Sequence, residues 1–357
     1  MKTTSEPLLI YGNLQRLLFV LCGGGWGIAM AIEVSLGITL NEVGQEWNLS
    51  YLELSFVSSF TMVGIFIGSY FWGLLADKKG RKPAFDKLLI PILIGVSIAA
   101  LSVNIWMLAL SYILVGFGIG GSFTVDGNVF LEYCPVEKQY MLTSISVLSS
   151  VGSSLPAAFA LFYEGVHAPY QWRLIQASLA AITLAIAVPR FWIKETPGFL
   201  ISKHRTDEVV ILLQRINGKS EDFQSVYDKV LEASPVDKAE ERKANSQIAA
   251  LFRKPLRKFT LLYLIIWPLT SFTFIGVVSF LPVILIRAGV GKNDKDLYEI
   301  LLYQQLGIIY SAGIPGVILG TYLVKSRLGR KGTLILSQVV AVLLFFGFLI
   351  ENYWAVI

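Results

Sequence analysis

The chain alternates between long apolar segments and short polar ones, and its charged residues fall almost entirely in the polar ones. A helix needs about 20 apolar residues to cross a bilayer. Apolar segments of about that length lie at residues 17–40, 53–76, 88–105, 107–131, 140–163, 172–192, 259–286, 298–324 and 332–350. The pattern therefore predicts an all-α, multi-pass membrane protein with about nine spans, with the lipid bilayer as its surroundings.

Composition and charge support this topology. The 357 residues are 54% hydrophobic and only 15% charged, with a mean hydropathy of +0.62. The loops at 77–87, 193–257 and 325–331 are basic, whereas 41–50 and 164–170 have no Lys or Arg, and only 287–297 breaks the pattern. The positive-inside rule then predicts a cytoplasmic N-terminus. The net charge is +5, and the basic residues lie in loops where membrane topology would place them. We therefore expect no nucleic-acid partner.

The first basic loop is the most informative motif of the chain. Its constrained positions are Gly73, Asp77, Lys78, Gly80, Arg81 and Lys82. Gly80 permits a turn with positive φ. Asp77 lies near a helix C-terminus, where the helix dipole disfavours a negative charge, so we expect it to have a partner. The spacing resembles the signature loop of the major facilitator superfamily. That resemblance implies a fold of two six-helix bundles.

A degenerate copy of this loop follows span 8, at residues 320–331, as the first follows span 2. This offset is typical of a six-span internal repeat. We therefore expect an N-terminal six-helix bundle at 1–192, a cytoplasmic loop with amphipathic helices at 193–257, and an incomplete C-terminal bundle (spans 7 to 9) at 258–357. Either the sequence is a fragment that lacks spans 10 to 12, or the protein is short.

Three stretches resemble one branch of the superfamily more narrowly. Residues 114–121 and 125–135 resemble span 4 of synaptic-vesicle-glycoprotein-like and organic-ion (nicotinate-type) transporters. Residues 194–200 resemble the motif that follows span 6 in this branch and in sugar porters. Two positions depart from the pattern: Tyr112 stands where many relatives carry arginine, and Gly198 replaces a second arginine.

Acidic side chains within the spans are the candidate solute- or proton-binding groups. A carboxylate in mid-span is costly unless it faces a cavity or a partner, so Glu33 of span 1 is a candidate proton carrier. Asp126 and Asn128 of span 4 and Gln304 and Gln305 of span 8 are further candidates. The alternative for Glu33 is a bond to a buried polar group or a position nearer the membrane interface. For Asp126 it is a packing role, with a bond to Asn128 or a serine of span 5, and for the glutamines it is a hydrogen bond between helices.

A second group of residues lies at the cytoplasmic ends of the predicted spans. The resemblance implies that Arg81, Glu132 and Glu195 form inter-helix salt bridges that close the inner side of the protein. They would act in gating rather than in catalysis. Breaking such a bridge should shift a conformational equilibrium.

The sequence has no enzyme signature. It contains no phosphate-binding loop, and its only histidines, His167 and His204, fall in loops, so we expect no enzyme activity, no metal site and no cofactor. The leading hypothesis is a secondary transporter, such as a proton symporter of a small organic solute, working by alternating access. The alternative is a transport-inactive relative that acts as a receptor or interaction partner.

Overall fold

The computed structural model describes residues 12–135, 138–163, 170–203, 205–217, 252–267, 269–270 and 295–356. Within these ranges the chain is helical apart from short connections, as the apolar pattern predicts. The helices are α1 (Asn13–Glu46), α2 (Tyr51–Lys79), α3 (Arg81–Lys87), α4 (Leu89–Ala100), α5 (Ile105–Tyr133), α6 (Met141–Phe162), α7 (Tyr170–Arg190), α8 (Pro197–Ser202), α9 (Thr206–Asn217), α10 (257–267), α11 (Lys295–Ser311), α12 (Gly313–Lys325) and α13 (Gly329–Val356).

Seven stretches of the described residues are long and apolar enough to cross a membrane. They are Asn13–Glu46, Tyr51–Lys79, Arg81–Ala100, Ile105–Tyr133, Met141–Phe162, Tyr170–Arg190 and Leu301–Lys325. These stretches correspond to predicted spans 1 to 6 and span 8. Predicted span 7 lies largely outside the described residues, and the residues of predicted span 9 belong to α13.

Capping side chains set several boundaries. Asn104 Oδ1 accepts the backbone N–H of Met107 at 2.8 Å, so α5 begins at Ile105 and span 3 ends at Ala100 instead of the predicted 105. Ser50 and Glu53 form a capping box at the start of α2. Capping hydrogen bonds of this kind decide at which residue a helix begins, and the apolar pattern of the sequence does not show them.

The helices pack through glycines. A methyl group added at Gly68 of α2 would meet the Phe117 carbonyl of α5, and one at Gly27 of α1 would lie 2.7 Å from the Leu148 carbonyl of α6. Such contacts let helix backbones approach closely where lipid provides no hydrophobic force between helices. They hold α2 against α5 and α1 against α6.

The first basic loop is shorter than the sequence suggests. Helix α2 continues through Lys79 and α3 begins at Arg81, so only Gly80 between them is non-helical. Its φ of +113° confirms the predicted left-handed turn. A side chain there would also meet the Glu195 carboxylate. Glycine is therefore required at this position both for its conformation and for space.

The predicted amphipathic helix after span 6 is present as α9. Val209, Val210 and Leu213 are buried, whereas Ile211 is 55% exposed. Residues 218–251 of the predicted cytoplasmic loop lie outside the described residues. The domain limits at 192 and 257 stay predictions.

Candidate functional site

Glu33 lies on a partly exposed face of α1. Trp26, Met30 and Leu40 share this face, because residues three, four and seven apart lie on one side of a helix, and all four are partly exposed. In the part of the chain that the structure describes, the Glu33 carboxylate has no hydrogen-bond or ion-pair partner. An unpaired acid on an accessible face is what a solute- or proton-binding group requires.

Asp126 of α5 has different surroundings. It forms a two-pronged ion pair with Arg190, the last residue of α7, with Nη1–Oδ1 and Nη2–Oδ2 distances of 2.8 and 2.9 Å. Both side chains are 0% exposed. Ser122 Oγ donates a further hydrogen bond to Asp126 Oδ2 at 2.7 Å. The carboxylate is therefore held by three donors.

Arg190 joins this pair to two more parts of the fold. Its Nη2 donates to the Leu21 carbonyl of α1 at 2.8 Å, and its guanidinium lies 4.2 Å from the ring centroid of Phe85 in α3. A methyl group at Gly25 would collide with both Asp126 Oδ2 and Arg190 Nη2. The pair therefore ties together α1, α3, α5 and α7 at a position that tolerates no added atom.

The structure does not bring all the predicted binding residues together. Asp126 points towards Gly25 of α1 and does not contact Glu33. Asn128 is exposed, and its side chain donates to the Thr124 carbonyl of its own helix at 2.8 Å. Gln304 of α11 is exposed, and its neighbour Gln305 is partly exposed. The binding roles of these residues stay predictions.

A buried polar cluster was missed by the sequence analysis. Gln176 Nε2 of α7 lies 3.2, 2.9 and 3.1 Å from the hydroxyls of Ser35, Thr39 and Tyr112, and all four residues are buried. Tyr112 is one of the two positions at which the sequence departs from the resemblance described above. In this chain that position belongs to an uncharged network that joins α1, α5 and α7. A glutamine within an apolar span was the available signal.

The predicted gating residues form a network at the basic-loop end of the helices. Arg81 Nε lies 2.9 Å from Glu132 Oε1 and Arg81 Nη1 lies 2.5 Å from Asp77 Oδ1. The pairing confirms that Asp77 has a partner at the end of α2. Glu132 Oε2 also accepts a hydrogen bond from the Thr196 hydroxyl at 2.6 Å. These contacts join α2, α3 and α5 to the segment after α7.

Glu195 and the remaining signature residues have separate roles in this network. The prediction of a salt bridge is wrong for Glu195, which forms none among the described residues: its Oε1 accepts the backbone N–H of Lys82 at 3.0 Å and that of Thr196 at 3.0 Å. Lys82 Nζ pairs with Asp86 at 2.6 Å. Lys78 is exposed, and nothing among the described residues lies within 4 Å of a methyl group at Gly73. All these contacts are made within the first seven helices and the segment that follows them. A role in closing the inner side stays a prediction.

The opposite end of the helices carries a second charged cluster. Arg173 Nη2 lies 3.2 Å from Glu46 Oε1, and Trp172 Nε1 donates to Glu46 Oε2 at 2.9 Å. Arg173 also donates to the Ser102 carbonyl at 3.2 Å. This cluster ties the end of α1 to the start of α7 and to the loop before α5.

Comparison with known proteins identifies sequence relatives and a solved structure with the same fold. MFS siderochrome iron transporter 1 of Ceriporiopsis subvermispora is 30% identical, over 91% of this chain and 68% of that protein. Niacin transporter NiaP of Acinetobacter baylyi is 26% identical, over 90% and 70%. The xylose transporter XylE from E. coli, in a partially occluded inward-open conformation, shares the fold with a TM-score of 0.66 at 15% identity, over 89% of this chain and 74% of that one.

The chain spans about two thirds of the length of the curated relatives that it matches. These relatives are transporters, which agrees with the expectation of a non-enzyme, and they confirm the predicted superfamily and its nicotinate-type branch. A family model described as "Sugar (and other) transporter" matches residues 27–354. The chain therefore belongs to the sugar (and other) transporter family of the major facilitator superfamily.

Proposed function

We propose that this protein is a proton-coupled secondary transporter of a small organic solute, working by alternating access. Glu33 is the proton- or solute-binding carboxylate. The N-terminus and the basic loops face the cytoplasm. The single observation that carries this assignment is the contrast between Glu33, which has no partner among the described residues, and Asp126, which is saturated by Arg190 and Ser122.

Electrostatics supports a binding role for Glu33. The charges of Asp126 and Arg190 cancel each other. Glu33 therefore remains as an acid on the partly exposed face of α1 whose charge no described residue compensates. An ionised carboxylate in a low-dielectric region favours binding of a proton or a cationic group. A reversible charge of this kind is what coupling between a proton gradient and solute movement needs.

The test is uptake in proteoliposomes. The purified full chain is reconstituted and given an inward proton gradient, with radiolabelled niacin, carnitine and xylose as probes. We expect gradient-driven accumulation of at least one probe by the wild-type chain. Glu33→Gln should abolish the response to the gradient, because the amide cannot take up a proton.

Glu46→Gln is the matched control, since it changes an acid of the same helix that is paired with Arg173. It should retain the response to the gradient. If Glu33→Gln took up solute with an unchanged response, Glu33 would be excluded as the coupling residue. Saturable binding of a probe without any flux would favour the receptor role instead.

A further inference from the structure

The two halves of helix α1 are held by different kinds of contact. The first half is tied to α6 and α7 near Leu21 and Gly27, where the backbone itself makes the contacts. Over residues 28–41, the inter-helix hydrogen bonds that reach α1 from described residues all belong to the buried polar cluster around Gln176. This cluster is therefore the polar anchor of the segment that carries Glu33.

Gln176 of α7 holds α1 through its amide nitrogen. Nε2 lies 3.2 Å from Ser35 Oγ and 2.9 Å from Thr39 Oγ1, which are one turn apart on α1, and 3.1 Å from Tyr112 Oη of α5. An amide nitrogen carries two N–H groups, so two of these three hydroxyls accept at one time. Because two of the three belong to α1, at least one of the two N–H groups bonds α1 in every such arrangement.

The amide oxygen of Gln176 shows that this anchor has a cost. Gln176 is 0% exposed, and its Oε1 has no hydrogen-bond partner among the described residues. An unpaired buried acceptor is unfavourable, and an apolar side chain of the same shape would avoid that penalty. Stability alone would therefore be served as well by an apolar residue. What the amide adds is a fixed direction for the bonds that it makes to α1.

Glu33 depends on α1 for the direction of its carboxylate. It has no partner of its own among the described residues, so the rotation of α1 about its axis decides where it points. Ser35 lies two residues further on, about 200° round the helix, so the cluster holds the face opposite Glu33. A side-chain tip lies about 5–6 Å from the helix axis, so a rotation of about 20° moves it by about 2 Å. A displacement of that size is enough to spoil a binding geometry.

We infer that Gln176 is a positioning residue, which fixes the rotation of α1 and thereby directs the Glu33 carboxylate towards the solute path. The inference rests on the role proposed above for Glu33 and adds the residue that orients it. Gln176 is buried behind α1, and its described hydrogen bonds go to the three hydroxyls and not to Glu33. It acts through the helix and not on the solute.

The test measures which face of α1 is accessible to water. Glu33→Cys, Ile32→Cys, Val34→Cys and Ala31→Cys are made one at a time in the full chain, with both native cysteines replaced by alanine. Ile32 and Val34 are buried and lie about 100° on either side of Glu33, whereas Ala31 is 0% exposed and lies about 200° away. The chain is reconstituted in vesicles, and the rate of reaction with a membrane-impermeant maleimide is measured.

Gln176→Met should turn α1 without unfolding it. Methionine is unbranched and similar in size to glutamine, but it donates no hydrogen bond. We expect Glu33→Cys to react about tenfold more slowly, and Ile32→Cys or Val34→Cys about tenfold faster, as for loss of one hydrogen bond. The rate at Ala31→Cys should not change, because a residue on the opposite face stays covered when the helix rotates.

Further variants separate the bonds to α1 from the bond to α5. Ser35→Ala/Thr39→Val removes both acceptors on α1 and should give the same shift as Gln176→Met. Tyr112→Phe leaves those acceptors in place and should give a smaller shift. Thr183→Val is the matched control, since Thr183 is also buried in α7 but its hydroxyl bonds a carbonyl of its own helix at 2.7 Å. It should leave all the labelling rates unchanged.

Equal labelling patterns in Gln176→Met and Thr183→Val would overturn the inference. Faster labelling at Ala31→Cys would also overturn it, because that result indicates general loosening and not rotation. If Gln176→Met does not fold, the Ser35→Ala/Thr39→Val variant makes the same test.

The labelling assay needs no solute flux, so it separates this inference from the proposed function. Shifted labelling in a chain that shows no uptake would keep the positioning role of Gln176 and reject transport. Gradient-driven uptake with unshifted labelling would keep transport and reject the positioning role.

Discussion

Two acidic residues in the first helices illustrate how differently a membrane protein can use the same chemical group. Asp126 is fully buried and receives two hydrogen bonds from Arg190 and one from Ser122. Glu33 is partly exposed and has no such partner among the described residues. The comparison teaches that an acid within a span is a functional candidate only after its neighbours have been identified, because pairing turns it into a structural element.

The largest effect should come from breaking the Asp126–Arg190 pair. Asp126→Ala leaves the Arg190 guanidinium buried without its counter-charge, so we expect a loss of about 3–5 kcal/mol in the free energy of unfolding. Equilibrium unfolding in mixed micelles measures the change. The double variant Asp126→Ala/Arg190→Met should recover most of the loss, because it removes both charges. A double variant as unstable as the single one would contradict this account.

A smaller loss is expected from filling the space beside the same pair. Gly25→Ala places a methyl group on Asp126 Oδ2 and Arg190 Nη2, so the pair must shift. We expect a loss of about 1–3 kcal/mol in the free energy of unfolding, the usual cost of overpacking. Gly316→Ala is the matched control, since nothing among the described residues lies within 4 Å of its methyl position. Equal stabilities of the two variants would refute the steric argument.

These residues also show what the sequence can and cannot predict. The apolar pattern predicted the limits of spans 2, 4, 5 and 6 to within three residues, because the thickness of the bilayer imposes a minimum length on each helix. Span 1 is longer than predicted at both ends (Asn13–Glu46 instead of 17–40), and span 3 is displaced towards the N-terminus (Arg81–Ala100 instead of 88–105). The left-handed Gly80 and the amphipathic α9 were predicted as well, since both depend on local chemistry. Asp126, in contrast, was grouped with Glu33, and Arg190 was not recognised as its partner. The two lie 64 residues apart, and their contact depends on how α5 and α7 are rotated against each other.

The smallest effect, and the sharpest test of the comparison, is expected at Glu33. Glu33→Gln removes a charge that no described contact compensates, so the free energy of unfolding should change by less than about 0.5 kcal/mol or rise. Glu46→Gln should lose more, about 1–2 kcal/mol, because Glu46 accepts hydrogen bonds from both Arg173 and Trp172. Unfolding of both variants in the same micelles gives the difference. A larger loss at Glu33 than at Glu46 would mean that Glu33 has a structural partner, and the contrast with Asp126 would then no longer support its role in binding.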